Sequence, residues 1–460
     1  MTGRRSVVVT GIGVIAPIGV GARDFWNSAM TGASAVAPVP AAWRSYFTPV
    51  SSVWAPLPKI DFSAFAISRI EQLQLDKVAL LGLAAAREAI ADAGFGFELN
   101  DAKKNSFRII GINPERTGVF GGTGIGGIAS LMAAQAFHCG NRSSEKLEAV
   151  RSGIREMAET LDVHAEPGMA LACPPMPLRF NPMTIAMSMP NSCSSSIGIK
   201  YGLTGHNLCC STACAAGTSA IGLGYRAVAS GECDAAIAGG SEYLGDDYGG
   251  SFRAFDATGT LVRKCDDPPT ANRPFDAARS GFLFAEGGSA MLVLEEQDAA
   301  LRRGANPYAE ITAFASSFDA FSNMAMEPQG CGAERMLRSA LADAALEPGA
   351  IDYINAHGTG TVQNDEIESA VIERIFGSSP LINSTKSLIG HTVGASGAIE
   401  AAVTALSILH QTTHVSHNLT HPLRDLNFVR EVKPRSIRRA VTQSFGFGGH
   451  NACLIMERCG

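Results

Sequence analysis

Runs of β-branched residues alternate with Ala-rich stretches along most of the chain. Lys77 to Ala93 has a helical pattern, whereas Thr117 to Gly121, Ala235 to Gly239 and Gly288 to Leu294 read as strands. A second cycle starts near Tyr308 to Thr312, passes a helix over Ala333 to Ala345 and a strand over Ile351 to Ile354, and closes on Asn451 to Met456. Such alternation predicts an α/β fold in which helices cover a largely parallel sheet. No literal repeat joins the two cycles. Leu147, Val150, Ile154, Met157 and Leu161 follow a 3,4,3,4 spacing, which predicts an amphipathic helix, and Pro167, Pro174, Pro175 and Pro177 exclude regular structure after it.

At the start, Arg4-Arg5 before an apolar run to Ala22 imitates a secretion signal. Gly11, Gly13, Pro17 and Gly19 would break its helix, so the segment reads as a first core strand and turn. Apolar runs elsewhere are interrupted by Gly, Pro or charge within about 20 residues, so no membrane span is expected.

With 460 residues, 46% hydrophobic and 17% charged, the chain is long enough for one or two domains with a large core. A net charge of −6 argues against nucleic acid and means that an acidic partner would need a local basic patch, for which Arg69, Lys77, Arg263 and Lys264 are candidates. Each of the four is also compatible with an ordinary solvated charge. The 11 cysteines form no CxxC pair, so neither a metal site nor a disulfide scaffold is expected, and a reducing, cytoplasmic compartment is. Adjacent Cys209 and Cys210 bridge poorly on a strand and read as core.

Three segments carry candidate chemistry. Cys214 lies in Ser211-Thr212-Ala213-Cys214-Ala215-Ala216-Gly217, at what reads as a helix N-terminus, where free amides and the helix dipole would favour a thiolate nucleophile. A buried structural cysteine is the competing reading. His357 follows a strand within Asn355-Ala356-His357-Gly358-Thr359-Gly360-Thr361, and His391 stands five positions after Lys386, ahead of an Ala-rich helix bearing Glu400. One thiol, two imidazoles and one amine in glycine-rich contexts favour chemistry over structure. The pattern Gly122-Thr123-Gly124-Ile125-Gly126-Gly127 lacks the acidic residue that dinucleotide binding requires.

These motifs, with Val7 to Gly13, Arg273-Pro274-Phe275-Asp276 and Ser444-Phe445-Gly446-Phe447-Gly448-Gly449, resemble the elongating β-ketoacyl-acyl carrier protein synthases nearly end to end. The resemblance implies the thiolase fold, two similar α/β halves stacked as five αβαβα layers, with the halves at residues 1–303 and 304–460 and usually a dimer through the sheet. It implies Cys214 as the acyl-accepting nucleophile, and His357 and His391 as donors to the enolate formed when malonate loses CO₂. A His and an Asn would suit initiating synthases, so the second histidine argues for elongation. Backbone N–H groups of Cys214 and Phe447 would form the oxyanion hole, with Phe447 as gate and Phe282 walling the departing carboxylate. Lys386 is expected to pair with Glu400 and hold the histidine loop rather than act as a base. Asp365 and Glu368 either join that network or are exposed helix charges.

No cofactor is implied beyond the phosphopantetheine arm of an acyl carrier protein, and the partner subunit is either a second copy or a related chain-length subunit. Compared with the family, residues 138 to 178 are an insertion, either a helix packed on its own body or an element at the dimer edge or pocket mouth. A non-catalytic chain-length subunit should lack the nucleophile, and a coenzyme A thiolase needs a second cysteine, for which Cys453 reads as core instead. His450 and the insertion tilt the reading toward a specialised polyketide or polyene pathway rather than primary fatty acid synthesis.

Overall fold

The structure is a computed structural model of one chain and describes residues 4–160, 180–263 and 267–460. Among the described residues the main sheet has 11 strands, the short Gly19–Val20 pairing only with the first and the other ten forming a continuous path: β1 (Val7–Ala16), β2 (Thr117–Gly122), β3 (Asn207–Cys210), β4 (Ala235–Tyr243), β5 (Gly287–Glu296), β6 (Ala309–Phe318), β7 (Tyr353–Asn355), β8 (Leu381–Asn383), β9 (Arg439–Gly446) and β10 (His450–Glu457). Their spatial order is β8-β7-β9-β10-β6-β1-β5-β4-β2-β3. Read outward from the β1–β6 seam, both sides follow one scheme: first, fifth, fourth, second, third strand of their half. The duplication hidden in the sequence is therefore plain in the topology.

Seven helices surround the sheet, α1 (Lys77–Asp92), α2 (Ile128–Thr160), α3 (Ser192–Tyr201), α4 (Ala216–Ala229), α5 (Cys331–Asp343), α6 (Val362–Phe376) and α7 (Ser396–His410), and six of them occupy matching places, α1 with α5, α3 with α6 and α4 with α7, while α2 stands outside the pairs. α4 and α7 pack together between the two sets of strands, while α1 and α3 cover one outer face and α5 and α6 the other. This gives the five layers of the thiolase arrangement. Asp76 caps α1 by accepting the Val78 N–H at 2.9 Å, which satisfies one of its orphan donors. Gly11 and Gly13 let α1 lie directly on β1, since a Cβ there would come within 2.1 Å of the Ala89 carbonyl and 2.0 Å of the Ala85 carbonyl. The glycines that exclude a secretion helix thus serve close helix–strand packing.

The expectation of a largely parallel sheet is corrected. The sheet is mixed: β2 pairs in parallel with β3 and β4, and β7 with β8 and β9, but every pairing between β4 and β9 through the centre is antiparallel. Buried strands read as uninterrupted apolar runs whichever way they point, so the composition does not give direction. One helical run, Val393–His410, does have the length and apolarity of a membrane span, yet 89% of it is buried as the central helix. Its Ala, Val, Ile and Leu side chains fill the middle layer, each larger one contributing about 1.5–3 kcal/mol by leaving water.

The predicted amphipathic stretch is the latter part of α2, a helix of 33 residues. Val150 and Met157 are 57% and 62% exposed, so these positions of the stripe do not pack on the chain's own body. Leu161 and the four prolines lie outside the described residues. Cys209 and Cys210 are half-buried on the edge strand, with Cys210 packed against the central core, and Cys453 is fully buried in β10.

Candidate active site

After β3 the chain enters a 3-10 turn, Ala213–Ala215, that leads into α4. Cys214 is therefore in the turn before the helix, not on its first free amides, and is buried. Desolvation pushes its thiol up to about 11, outweighing the Lys386 charge and the backbone N–H groups of Phe447 and of Cys214 itself, which favour the thiolate. The resting group is a thiol, which corrects the expectation of a thiolate set by a helix end. Both amides nonetheless converge on the sulfur.

His391 follows the short helix Lys386–Ile389, and its Nε2 lies 3.0 Å from Cys214 Sγ. Its Nδ1 accepts the Val393 N–H at 3.2 Å and faces Ser396 Oγ at 2.9 Å. An accepting Nδ1 leaves the ring proton on Nε2, pointed at the sulfur. His357 has the same arrangement from another source. The Lys386 Nζ donates to His357 Nδ1 at 3.1 Å and to the His357 carbonyl at 2.8 Å, and it pairs with Glu400. Burial first, then the Lys386 charge, holds both imidazoles well below the usual histidine range, so both are neutral N–H donors. The rings are 5.4 Å apart and nearly perpendicular.

The surrounding groups are buried as well. Glu368 accepts the N–H groups of His357 and Gly358 at 2.7 Å each, together with Gln443 Nε2, and burial pushes it up to about 7. Asp365 accepts the Phe275 N–H at 2.6 Å and the Gly360 N–H, so neither carboxylate is a solvent-exposed helix charge. Burial also lifts Glu400 to about 7 against the pull of Lys386. The Phe282 ring stands edge-on to His391 at 5.2 Å, and Phe447 lies in the Gly446–Gly449 turn between β9 and β10.

A cavity of about 340 Å³ joins these groups, lined among others by Cys214, His357, His391, Phe282, Thr359 and Phe447. Of the candidate surface cations, Arg263 has its guanidinium against Gly259, which lines the cavity, and Arg69 is exposed at the start of the helix Arg69–Gln74. Lys77 differs, since its Nζ donates to Tyr243 Oη at 2.6 Å. Lys264 lies outside the described residues.

Sequence reasoning missed Glu242, which is fully buried at the end of β4. It accepts from Thr123, Gly124, Ile125 and Gly394, and burial pushes it up to about 7. A charged residue closing an otherwise apolar strand, Ala-Ala-Ile-Ala-Gly-Gly-Ser-Glu, was the available signal.

Comparison with known proteins agrees with this geometry. The family described as Beta-ketoacyl synthase, N-terminal domain, matches residues 4–300, and its C-terminal counterpart matches residues 308–420. A 3-oxoacyl-[acyl-carrier-protein] synthase 2 from Synechocystis sp. is 34% identical over 99% of this chain and 98% of its own length. Among solved structures, a type II ketosynthase bound to a hexaketide, in complex with its acyl-carrier protein, superposes with a TM-score of 0.78 at 28% identity, covering 99% of this chain and 100% of its own. The ishigamide ketosynthase/chain length factor gives 0.79 at 27% identity over the same shares. The chain belongs to the β-ketoacyl synthase family and is a condensing acyltransferase.

Proposed function

We propose that the chain elongates acyl chains by decarboxylative condensation on acyl carrier proteins, with Cys214 as nucleophile and His357 and His391 as paired N–H donors. The observation that carries this reading is the shared tautomer: both Nδ1 atoms accept, so both rings carry their proton on Nε2, and the His391 proton that now points at the sulfur turns to an oxyanion developing beside it. Cys214 attacks an acyl thioester on the carrier's pantetheine arm; the new C–S bond forms, the carrier sulfur leaves, and it takes up the thiol proton. Malonyl carrier then binds, and its C–C bond breaks to release CO₂ and leave an enolate on the thioester. The imidazoles donate to that enolate oxygen. Its carbon attacks the acyl-Cys214 carbonyl, the amides of Cys214 and Phe447 hold the oxyanion, and Cys214 leaves as thiolate to be reprotonated by water.

No step requires a metal or further cofactor. Lys386 and Glu400 position His357, with Asp365 and Glu368 holding the loop behind it, and Phe282 gives the malonyl carboxylate an apolar wall that favours its departure. Arg263 suits recognition of the carrier near the cavity rim, with Arg69 as a more distant contact. Retention of Cys214 speaks for a catalytic subunit rather than a chain-length partner.

Residues 1–303 and 304–460 form the two halves, a division supported by the repeated strand order. The partner subunit, a second copy or a related chain, pairs along β3, the open sheet edge, where Leu208 is 48% and neighbouring Ile199 76% exposed. The nine described cysteines are free thiols, which suits a reducing cytoplasm.

Intact-protein mass spectrometry tests the reading, using acyl carriers of several chain lengths followed by malonyl carrier. An adduct on the wild type that is absent from Cys214→Ala, and that discharges as a product two carbons longer, is the expected result. Equal labelling of both proteins would overturn it.

A further inference from the structure

Glu242 is a buried carboxylate that the condensation chemistry above does not use. It is anchored by the β4–β5 ladder, where it stands opposite Gly288. Its Oε1 accepts Thr123 Oγ1 at 3.1 Å and the Ile125 N–H at 3.3 Å; its Oε2 accepts the Gly124 N–H at 2.5 Å and the Gly394 N–H at 3.0 Å. Among the described residues it forms no ion pair. A carboxylate buried without a cation carries a desolvation cost of several kcal/mol, so its chemical identity calls for a reason.

The reason lies in its partners, all of which are donors. Only an ionised carboxylate offers four acceptor positions and no donor of its own; a glutamine would turn an N–H toward at least one of these amides. The donors come from two segments far apart in sequence. Gly124 and Ile125 wall one side of the cavity, and Val393, next to Gly394, walls another. The segments touch directly, since a Cβ on Gly394 would sit 2.2 Å from the Gly124 nitrogen and 2.6 Å from Glu242 Oε2. Glu242 is thus the clasp between them.

The clasp bears on His391 through a single residue. Val393 holds a left-handed φ of 47°, unfavourable for a β-branched side chain, and in that conformation its N–H donates to His391 Nδ1. Release of the neighbouring Gly394 N–H would let the turn relax and draw the Val393 N–H off the ring. Nδ1 could then carry the proton, and a lone pair instead of an N–H would face the reacting oxygen.

We propose that Glu242 is a positioning residue for the decarboxylation step, clasping the Gly124–Ile125 wall to the Val393–Gly394 turn so that His391 keeps its proton on Nε2. The inference rests on the two-imidazole reading and deepens it. It separates the half-reactions: acylation of Cys214 depends on the amides of Cys214 and Phe447, whereas CO₂ release depends on the imidazole donors.

The test measures both half-reactions on the full-length protein, acylation by intact mass and CO₂ release from malonyl carrier, together with the melting temperature. Glu242→Gln is expected to slow CO₂ release by roughly tenfold or more while acylation stays within about threefold, the scale of losing one oriented donor. Thr123→Val, which removes one of the four donors, should slow the same step by a smaller factor. Equal slowing of both half-reactions, or no slowing of either, would overturn the assignment. Should Glu242→Gln fail to fold, Thr123→Val decides by the same criterion. If the wild type neither forms the adduct nor releases CO₂, the two-imidazole reading falls and takes this inference with it.

Discussion

Ala213 and Val393 occupy the same place in the two halves, each opening the 3-10 turn that enters a central helix, and both hold left-handed φ values, 49° and 47°. Cys214 and Gly394 are therefore counterparts, one carrying the thiol and the other filling the gap beside Gly124. The left-handed conformation costs an L-residue about 1–2 kcal/mol, a strain that glycine escapes. Ala213→Gly should leave thermal stability unchanged or slightly raised and slow acylation of Cys214 by roughly threefold or more, because a freed φ no longer fixes the sulfur. Melting curves and the acylation rate by mass spectrometry check this; unchanged acylation would show that the strain does not hold the nucleophile.

The thiol at about 11 makes a prediction about pH. At neutral pH only a small fraction of Cys214 is thiolate, so alkylation by iodoacetamide should be slow at pH 7 and rise about tenfold per unit through pH 9 without a plateau. An imidazolium–thiolate pair would instead plateau below pH 8. His391 opposes that pair, because a second ring proton on Nδ1 would meet the Val393 N–H.

Lys386 and Glu400 can be separated from each other by substitution. Lys386→Met strands Glu400 in the interior and should cost about 3–5 kcal/mol, less whatever protonation of the carboxyl recovers. CO₂ release should fall by roughly tenfold or more, since His357 Nδ1 loses the donor that sets its tautomer. Adding Glu400→Leu should restore much of the stability but not the rate. Urea titration and CO₂ release distinguish the two effects, and recovery of both together would mean that Lys386 acts only through stability.

Cys214, His357, Lys386 and His391 could be read from sequence because each sits in a short glycine-rich segment whose chemistry is local. Glu242 could not, since its partners stand 117 to 119 residues before it and 152 after, and only the fold brings them together. The duplication was hidden for a related reason: counterparts such as Cys214 and Gly394 have diverged in side chain and kept only backbone conformation. Strand direction was misread because Ala235 to Gly239 and Gly288 to Leu294 are equally apolar, and burial on both faces erases the alternation that would distinguish them. Lys77 is a surface cation as read, and its ammonium group also donates to Tyr243, which a distant strand delivers.

The pairing proposed along β3 predicts a change of mass. Leu208→Lys puts a charge on the open edge strand, a device natural sheets use against edge pairing, and Ile199→Asp does the same on the adjoining helix α3. With a second copy as the partner, the double variant should elute at half the mass of the wild type in light-scattering chromatography. Unchanged mass would move the interface elsewhere.

His414 gives the last prediction, at a site outside the reaction. The ring is fully buried; Nδ1 donates to the Val415 carbonyl at 2.9 Å, and Nε2 faces Thr385 Oγ1 at 3.2 Å. Burial drives it down to about 4, with neighbouring His417 adding to the shift and the Val415 bond opposing it. The folded pKa lies below the unfolded value of 6.5, so between these values the unfolded chain binds the proton and the folded one does not. Stability from this group is therefore complete above pH 6.5 and is lost as pH falls toward 4. One pKa unit corresponds to about 1.4 kcal/mol, so the loss between pH 7 and pH 5 should be about 2 kcal/mol. His414→Gln removes the titration, and its unfolding free energy from urea curves should fall by that much less than the wild type's over the same interval. Parallel acid limbs for the two proteins would show that His414 accepts its proton in the folded state.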